Sequence, residues 1–80
     1  MNIAEIFAAN LRAVRVARGI SQAKLANSAG LNTKYVGRLE RGRQSPALTT
    51  VAAIADALSI EPAEFIAHDP SRVIKLASST

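Results

Sequence analysis

Thr33, Lys34, Tyr35 and Arg38 all carry hydrogen-bond donors and lie within one short stretch of the chain. With Val36 and Leu39 turned inward on a helix of 3.6 residues per turn, these four form its outward face. A short, basic face rich in donors suits the edge of a DNA major groove, where every base pair displays its own pattern of donors and acceptors.

No competing chemistry assembles elsewhere. The chain has no cysteine, so disulfides and thiolate metal sites are excluded. His68 is the single histidine and has no second ligand at metal spacing. Glu61 and Glu64 flank a helix start, where the helix dipole accounts for acidic residues without an acid–base role. Ser21, Ser28 and Ser45 have no assignable base, and no glycine-rich phosphate loop occurs. We therefore expect no catalytic residue, metal, cofactor or small-molecule ligand, and read the chain as a non-enzyme.

The charge distribution agrees with a polyanionic partner. Residues 1–46 hold eight Lys and Arg against two acids, whereas residues 47–80 hold two against four, within a net charge of +4. No apolar run approaches the ~18–20 residues that span a membrane, and the N-terminus lacks a secretory pattern. A soluble, cytoplasmic protein is expected.

The elements that must position the basic face follow from local signals. Asn2 and Glu5 make a capping box for a first helix with Ile3, Ile6, Phe7, Leu11 and Val14 as its apolar stripe. Gly19 ends it and Ile20 follows as an apolar plug. Arg12, Arg15 and Arg18 recur every three residues off that stripe, as a solvated basic side. Ser21 and Asn32 are placed as N-caps of a second helix (22–29) and a third (33–41), separated only by Gly30, Leu31 and Asn32. Gly37 weakens the third by ~1 kcal/mol relative to alanine, either to admit a close neighbour or as a tolerated defect. Gly42 and Pro46 mark a loop.

Leu48, Val51, Ala52, Ile54, Ala55 and Leu58 stripe a fourth helix, which starts either at Ser45-Pro46 or near Leu48. Pro62 opens a short fifth helix, with Ile60 and Phe65 spaced as a hydrophobic staple. Beyond Ile66 the pattern fades to a turn at 69–71, an apolar patch of Val73, Ile74 and Leu76, and a frayed end. One domain at 1–68 with a tail at 69–80 is the expected organisation.

These residues also carry a resemblance. Leu11-Arg12, Arg15, Arg18-Gly19-Ile20-Ser21-Gln22, Leu25-Ala26, Ala29-Gly30-Leu31, Tyr35-Val36 and Arg38-Leu39-Glu40-Arg41-Gly42-Arg43 are followed by Pro46, Leu48, Val51, Ile54-Ala55-Asp56-Ala57-Leu58, Pro62 and Phe65. In order and spacing, residues 7–66 resemble the Cro/C1-type (lambda-repressor-like, Xre-like) helix-turn-helix transcriptional regulators. The resemblance implies an all-α, compact five-helix domain with a short C-terminal extension. It implies base reading by Thr33, Lys34, Tyr35 and Arg38, and phosphate binding by Ser21, Gln22, Asn32, Arg41, Arg43 and Gln44. It also implies an internal salt bridge between Arg15 and Glu40. Ala47 departs from the pattern, since relatives often have a serine cap there.

The function expected is sequence-specific binding of double-stranded DNA by a homodimer that regulates transcription from a pseudo-palindromic operator. Helix 33–41 would lie in the major groove. With no added ligand or protease domain, a stand-alone switch such as a restriction–modification controller is among the subtypes implied. Phe65, Ile66, Val73, Ile74 and Leu76 are the dimer-interface candidates, against plain core packing and a loose tail. The alternative is an antitoxin or adaptor whose main partner is another protein.

Overall fold

Asn2 and Glu5 start the first helix by exchanging hydrogen bonds. The Glu5 N–H donates to Asn2 Oδ1 and the Asn2 N–H donates to Glu5 Oε1, each at 2.9 Å. The structure, a computed structural model, describes residues 2–68. Its elements are α1 (Ile3–Ala17), α2 (Gln22–Ala29), α3 (Thr33–Glu40), α4 (Leu48–Leu58) and a terminal 3-10 turn (Pro62–Ile66). No strand occurs among the described residues.

All four α-helices end alike. A residue with positive φ follows each (Gly19, Gly30, Gly42 and Ser59). The next N–H then returns to a carbonyl five residues back: Ile20 to Arg15, Leu31 to Ala26, Arg43 to Arg38 and Ile60 to Ala55. In three cases the returning residue is apolar and packs on the core. The fourth is Arg43, which is exposed. The same backbone device thus seals the interior three times and presents a cation once.

α1 lies against α3 and the 3-10 turn, α2 against α3 and α4, and α4 against the 3-10 turn. Phe7, Leu11, Val14, Leu25, Val36, Leu39, Ile54, Leu58 and Phe65 fill the space between them. Each such side chain contributes about 1.5–3 kcal/mol by leaving water. The Phe7 and Phe65 rings sit 6.0 Å apart and tilted. α2 buries only Leu25 and Ala26, so this short helix depends on its neighbours more than on its own propensity.

Several expectations are corrected. The fifth helix is a 3-10 turn, because Pro62 opens a segment of only five residues and Asn10 seizes the carbonyls at its end. The third helix stops at Glu40, with Arg41 as its cap. α4 begins at Leu48 behind Ala47, which makes no side-chain cap bond, and not at Ser45-Pro46. Leu48 itself is 86% exposed, on the outer side of a first turn whose Val51 is buried in the core. Phe65 is fully buried within its own chain, which removes it from any dimer surface, whereas Ile66 is 48% exposed. Val73, Ile74 and Leu76 lie outside the described residues. Arg15 and Arg18 do not form a solvated side with Arg12: Arg15 pairs internally, and the Arg18 guanidinium donates to the Leu58 carbonyl.

Candidate nucleic-acid interface

The two helices on either side of the turn, α2 and α3, are each capped at their first turn. Ser21 Oγ accepts the Lys24 N–H at 3.0 Å and caps α2. Asn32 Oδ1 accepts the Lys34 N–H at 2.7 Å and caps α3. Both oxygens are occupied by backbone, so for a phosphate these residues offer the Ser21 hydroxyl proton and the Asn32 Nδ2. Gly30 takes φ +70, which lets α2 stop in time for Leu31 to pack inward.

Beneath α3 sits an ionic cluster. Arg15 Nε donates to Glu40 Oε2 at 2.6 Å and Nη2 donates to Oε1 at 3.1 Å, a bidentate pair between α1 and α3. Gln22 Nε2 donates to Glu40 Oε1 at 3.1 Å and ties in the first residue of α2. Arg15 Nη1 also donates to the Ile20 carbonyl at 2.8 Å. The side chains of Arg15 and Glu40 are 15% and 3% exposed. The Glu40 hydrogen bond raises the Arg15 pKa beyond its already high ordinary value, burial opposes the shift, and the charge of Glu40 adds to it. One carboxylate at the end of α3 therefore ties that helix to the start of α2 and the last turn of α1.

Above this cluster the outer face is loosely held. Thr33, Lys34, Arg38, Arg41, Arg43 and Gln44 are exposed. Arg38 Nε donates to Gln44 Oε1 at 3.1 Å, and its guanidinium lies 5.7 Å from the Tyr35 ring centre. Such an exposed contact contributes about 0.5–1 kcal/mol, little enough for a ligand to displace. Gln44 thus holds Arg38 in the free chain. Tyr35 stands apart from the other three face residues. It is half-buried against the core and its hydroxyl is 3.4 Å from Thr50 Oγ1. Position 35 sits one turn before Leu39, so it turns inward with that residue and makes a platform under Arg38.

Gln22, Thr33, Lys34, Gly37, Arg38 and Arg41 line one hollow of about 380 Å³ between α2 and α3. The loop after α3 is braced from behind: a Cβ at Gly42 would lie 3.3 Å from Glu5 Cγ. That close approach fixes Arg41 and Arg43 on either side of the turn. No group of three or more His, Cys, Asp or Glu able to hold a metal occurs among the described residues.

Sequence reasoning missed Asn10. It is completely buried, and its Nδ2 donates to the Phe65 carbonyl at 2.9 Å and the Ala67 carbonyl at 2.8 Å. Its one available signal was a polar residue inside an apolar helix.

The helix-turn-helix family model matches residues 11–65. The control protein C.SmaI of Serratia marcescens is 39% identical over 59 residues, covering 74% of this chain and 70% of that protein. The immunity repressor protein of Bacillus phage phi105 is 34% identical over 59 residues, and this match spans 41% of its length. Among solved structures, the restriction-modification controller protein C.AhdI from Aeromonas hydrophila superimposes with a TM-score of 0.75 at 42% identity. That match covers 78% of this chain and 94% of that one.

Proposed function

The chain belongs to the helix-turn-helix family of DNA-binding transcriptional regulators, and on that premise we propose that it acts as a homodimer on a pseudo-palindromic operator. α3 enters the major groove. Arg38 and Lys34 address guanine O6/N7 edges, and Thr33 a base edge or a thymine methyl, each good bidentate contact supplying ~1–3 kcal/mol of discrimination. Gln22, Ser21, Asn32, Arg41, Arg43 and Gln44 meet phosphates and set the register without reading sequence. Tyr35 supports Arg38 from below.

The observation that carries this reading is the exposed, lightly held set of Lys34, Arg38, Arg41 and Arg43 over a part-buried Arg15–Glu40–Gln22 anchor. A charged face whose cations mostly have no partner among the described residues is suited to an external polyanion. The names of the relatives favour a restriction–modification controller or a phage-type repressor as the subtype. A cytoplasmic location follows from that role, and no helix among the described residues is long and apolar enough to cross a membrane.

One such domain reads only a few base pairs, so two copies on half-sites ~34 Å apart complete the operator. Ile66 and residues 69–80, with Val73, Ile74 and Leu76, are the proposed contact between copies, residues 1–68 being the DNA-binding domain. Deleting 69–80 and measuring mass in solution tests this: a monomer is expected, and an unchanged dimer removes the tail from the interface. Selection of binding sites from random duplexes tests the main proposal. An enriched two-fold site with affinity that falls steeply as salt rises is expected. No enriched half-site, or binding indifferent to salt, overturns specific DNA readout in favour of a protein partner.

A further inference from the structure

We propose that Gly37 is itself part of the DNA-reading surface: its missing side chain lets a base edge close on the middle of α3. This rests on the DNA-binding reading above. Three of the four glycines have φ between +65 and +70 and follow helix ends, where the backbone calls for glycine. Gly37 has no such reason. It lies inside the eight-residue α3, where glycine is a poorer helix former than alanine.

The fold does not need the space either. A Cβ built on Gly37 would meet Arg41 Nη1 at 3.5 Å and Gln22 Oε1 at 3.7 Å, both ordinary contact distances. Both atoms are the far ends of flexible side chains, and both belong to residues proposed to reach for phosphates. Gly37 is buried in the free chain beneath these two ends; Arg41, drawn onto a phosphate, would uncover the Gly37 backbone, while Gln22 stays tied to Glu40 at its edge. The third observation is position. Thr33 and Lys34 lie one turn before Gly37 and Arg41 one turn after, so the glycine shares their side of the helix. It lies in the hollow that these residues line together with Gln22 and Arg38. A side chain there would project into the volume that a base pair must occupy for Lys34 and Arg38 to reach it.

Position 37 therefore supplies closeness and not a hydrogen bond. Any added atom lifts α3 from the groove floor and lengthens every base contact together, whereas phosphate contacts from the loop persist. The test uses the full chain, the duplex selected above and an unrelated duplex. Gly37→Ala should raise the Tm by roughly 4 °C, as expected for a helix-interior glycine replaced without strain. It should weaken binding to the selected duplex at least ~10-fold and leave binding to the unrelated duplex nearly unchanged, while Gly37→Leu weakens selected binding further. Wild-type affinity in Gly37→Ala overturns the proposal and makes the glycine a tolerated defect. A lowered Tm also overturns it, because the glycine then serves internal packing. If the wild-type chain binds neither duplex, the DNA-binding reading fails first and this inference with it, an outcome visible before any variant is made.

Discussion

Arg15 and Arg38 are the same residue type on adjoining helices, and they live in opposite conditions. Arg15 is largely covered, gripped by both oxygens of Glu40 and by the Ile20 carbonyl. Arg38 is exposed, and its polar contacts among the described residues are Gln44 and the Tyr35 ring. The covered arginine spends its hydrogen-bonding capacity within the chain and fixes α1, α2 and α3 relative to one another. The exposed one keeps most of its donors for a ligand. Burial, not charge, divides the scaffold of this face from its proposed reading surface, and a hydrogen-bonded lower layer gives the exposed upper layer a defined place to start from.

The largest expected effect comes from breaking the lower layer. Glu40→Ala leaves the Arg15 charge partly buried without its partner and should destabilise the fold by about 3–5 kcal/mol in urea unfolding. A loss below about 0.5 kcal/mol would make the two arginines equivalent and dissolve the contrast. Asn10→Ala removes a buried anchor far from the DNA face and strands two carbonyls, at a cost of about 1–3 kcal/mol. Its base preference at a temperature where it is folded should match the wild type, whereas altered preference would mean that the whole core sets readout.

Changes to the upper layer are smaller and of another kind. Arg38→Ala should leave stability within about 0.5 kcal/mol and flatten discrimination at one base position by ~1–3 kcal/mol in a binding-site competition. Arg43→Ala should weaken every duplex alike and lower the salt slope by about one. Equal losses for both variants, with preference intact, would move Arg38 from base reading to phosphate contact. The smallest effect is on pH. The Arg15 pKa is raised on folding, so its contribution is complete below the unfolded value and lost only as pH climbs through the higher folded one. The stability difference between wild type and Glu40→Ala should therefore stay constant from about pH 7 to 10 in paired unfolding curves.

The path from sequence to interface divides along the range of the forces involved. The caps at Asn2, Ser21 and Asn32 and the glycine stops were legible because each acts across five residues or fewer. The apolar stripes of α1 and α3 were legible because helical period is a local property. Thr33, Lys34 and Arg38 could be placed on one face for the same reason. The partnership of Arg15 with Glu40 came from the family resemblance, since a separation of 25 residues has no local signature.

What the sequence by itself determined is the presence of α1 to α4, the caps at Asn2, Ser21 and Asn32, the glycine stops and the concentration of positive charge around α3, whereas the start of α4 and the 3-10 form of the last element came from the structure. Only the tertiary structure decided which side chains of that set are spent and which are free. Leu48 matched the apolar stripe, yet it is left 86% exposed while Val51 in the same turn is buried. Phe65 looked available for a second chain, yet Phe7 and the core had already taken it. Asn10 gave no sign that it would hold carbonyls 55 and 57 residues away. Periodicity assigns a residue to a side of its own helix. Whether that side meets protein or water depends on the other helices, and that decision separated Arg15, which is covered and holds the fold, from Arg38, which stays exposed.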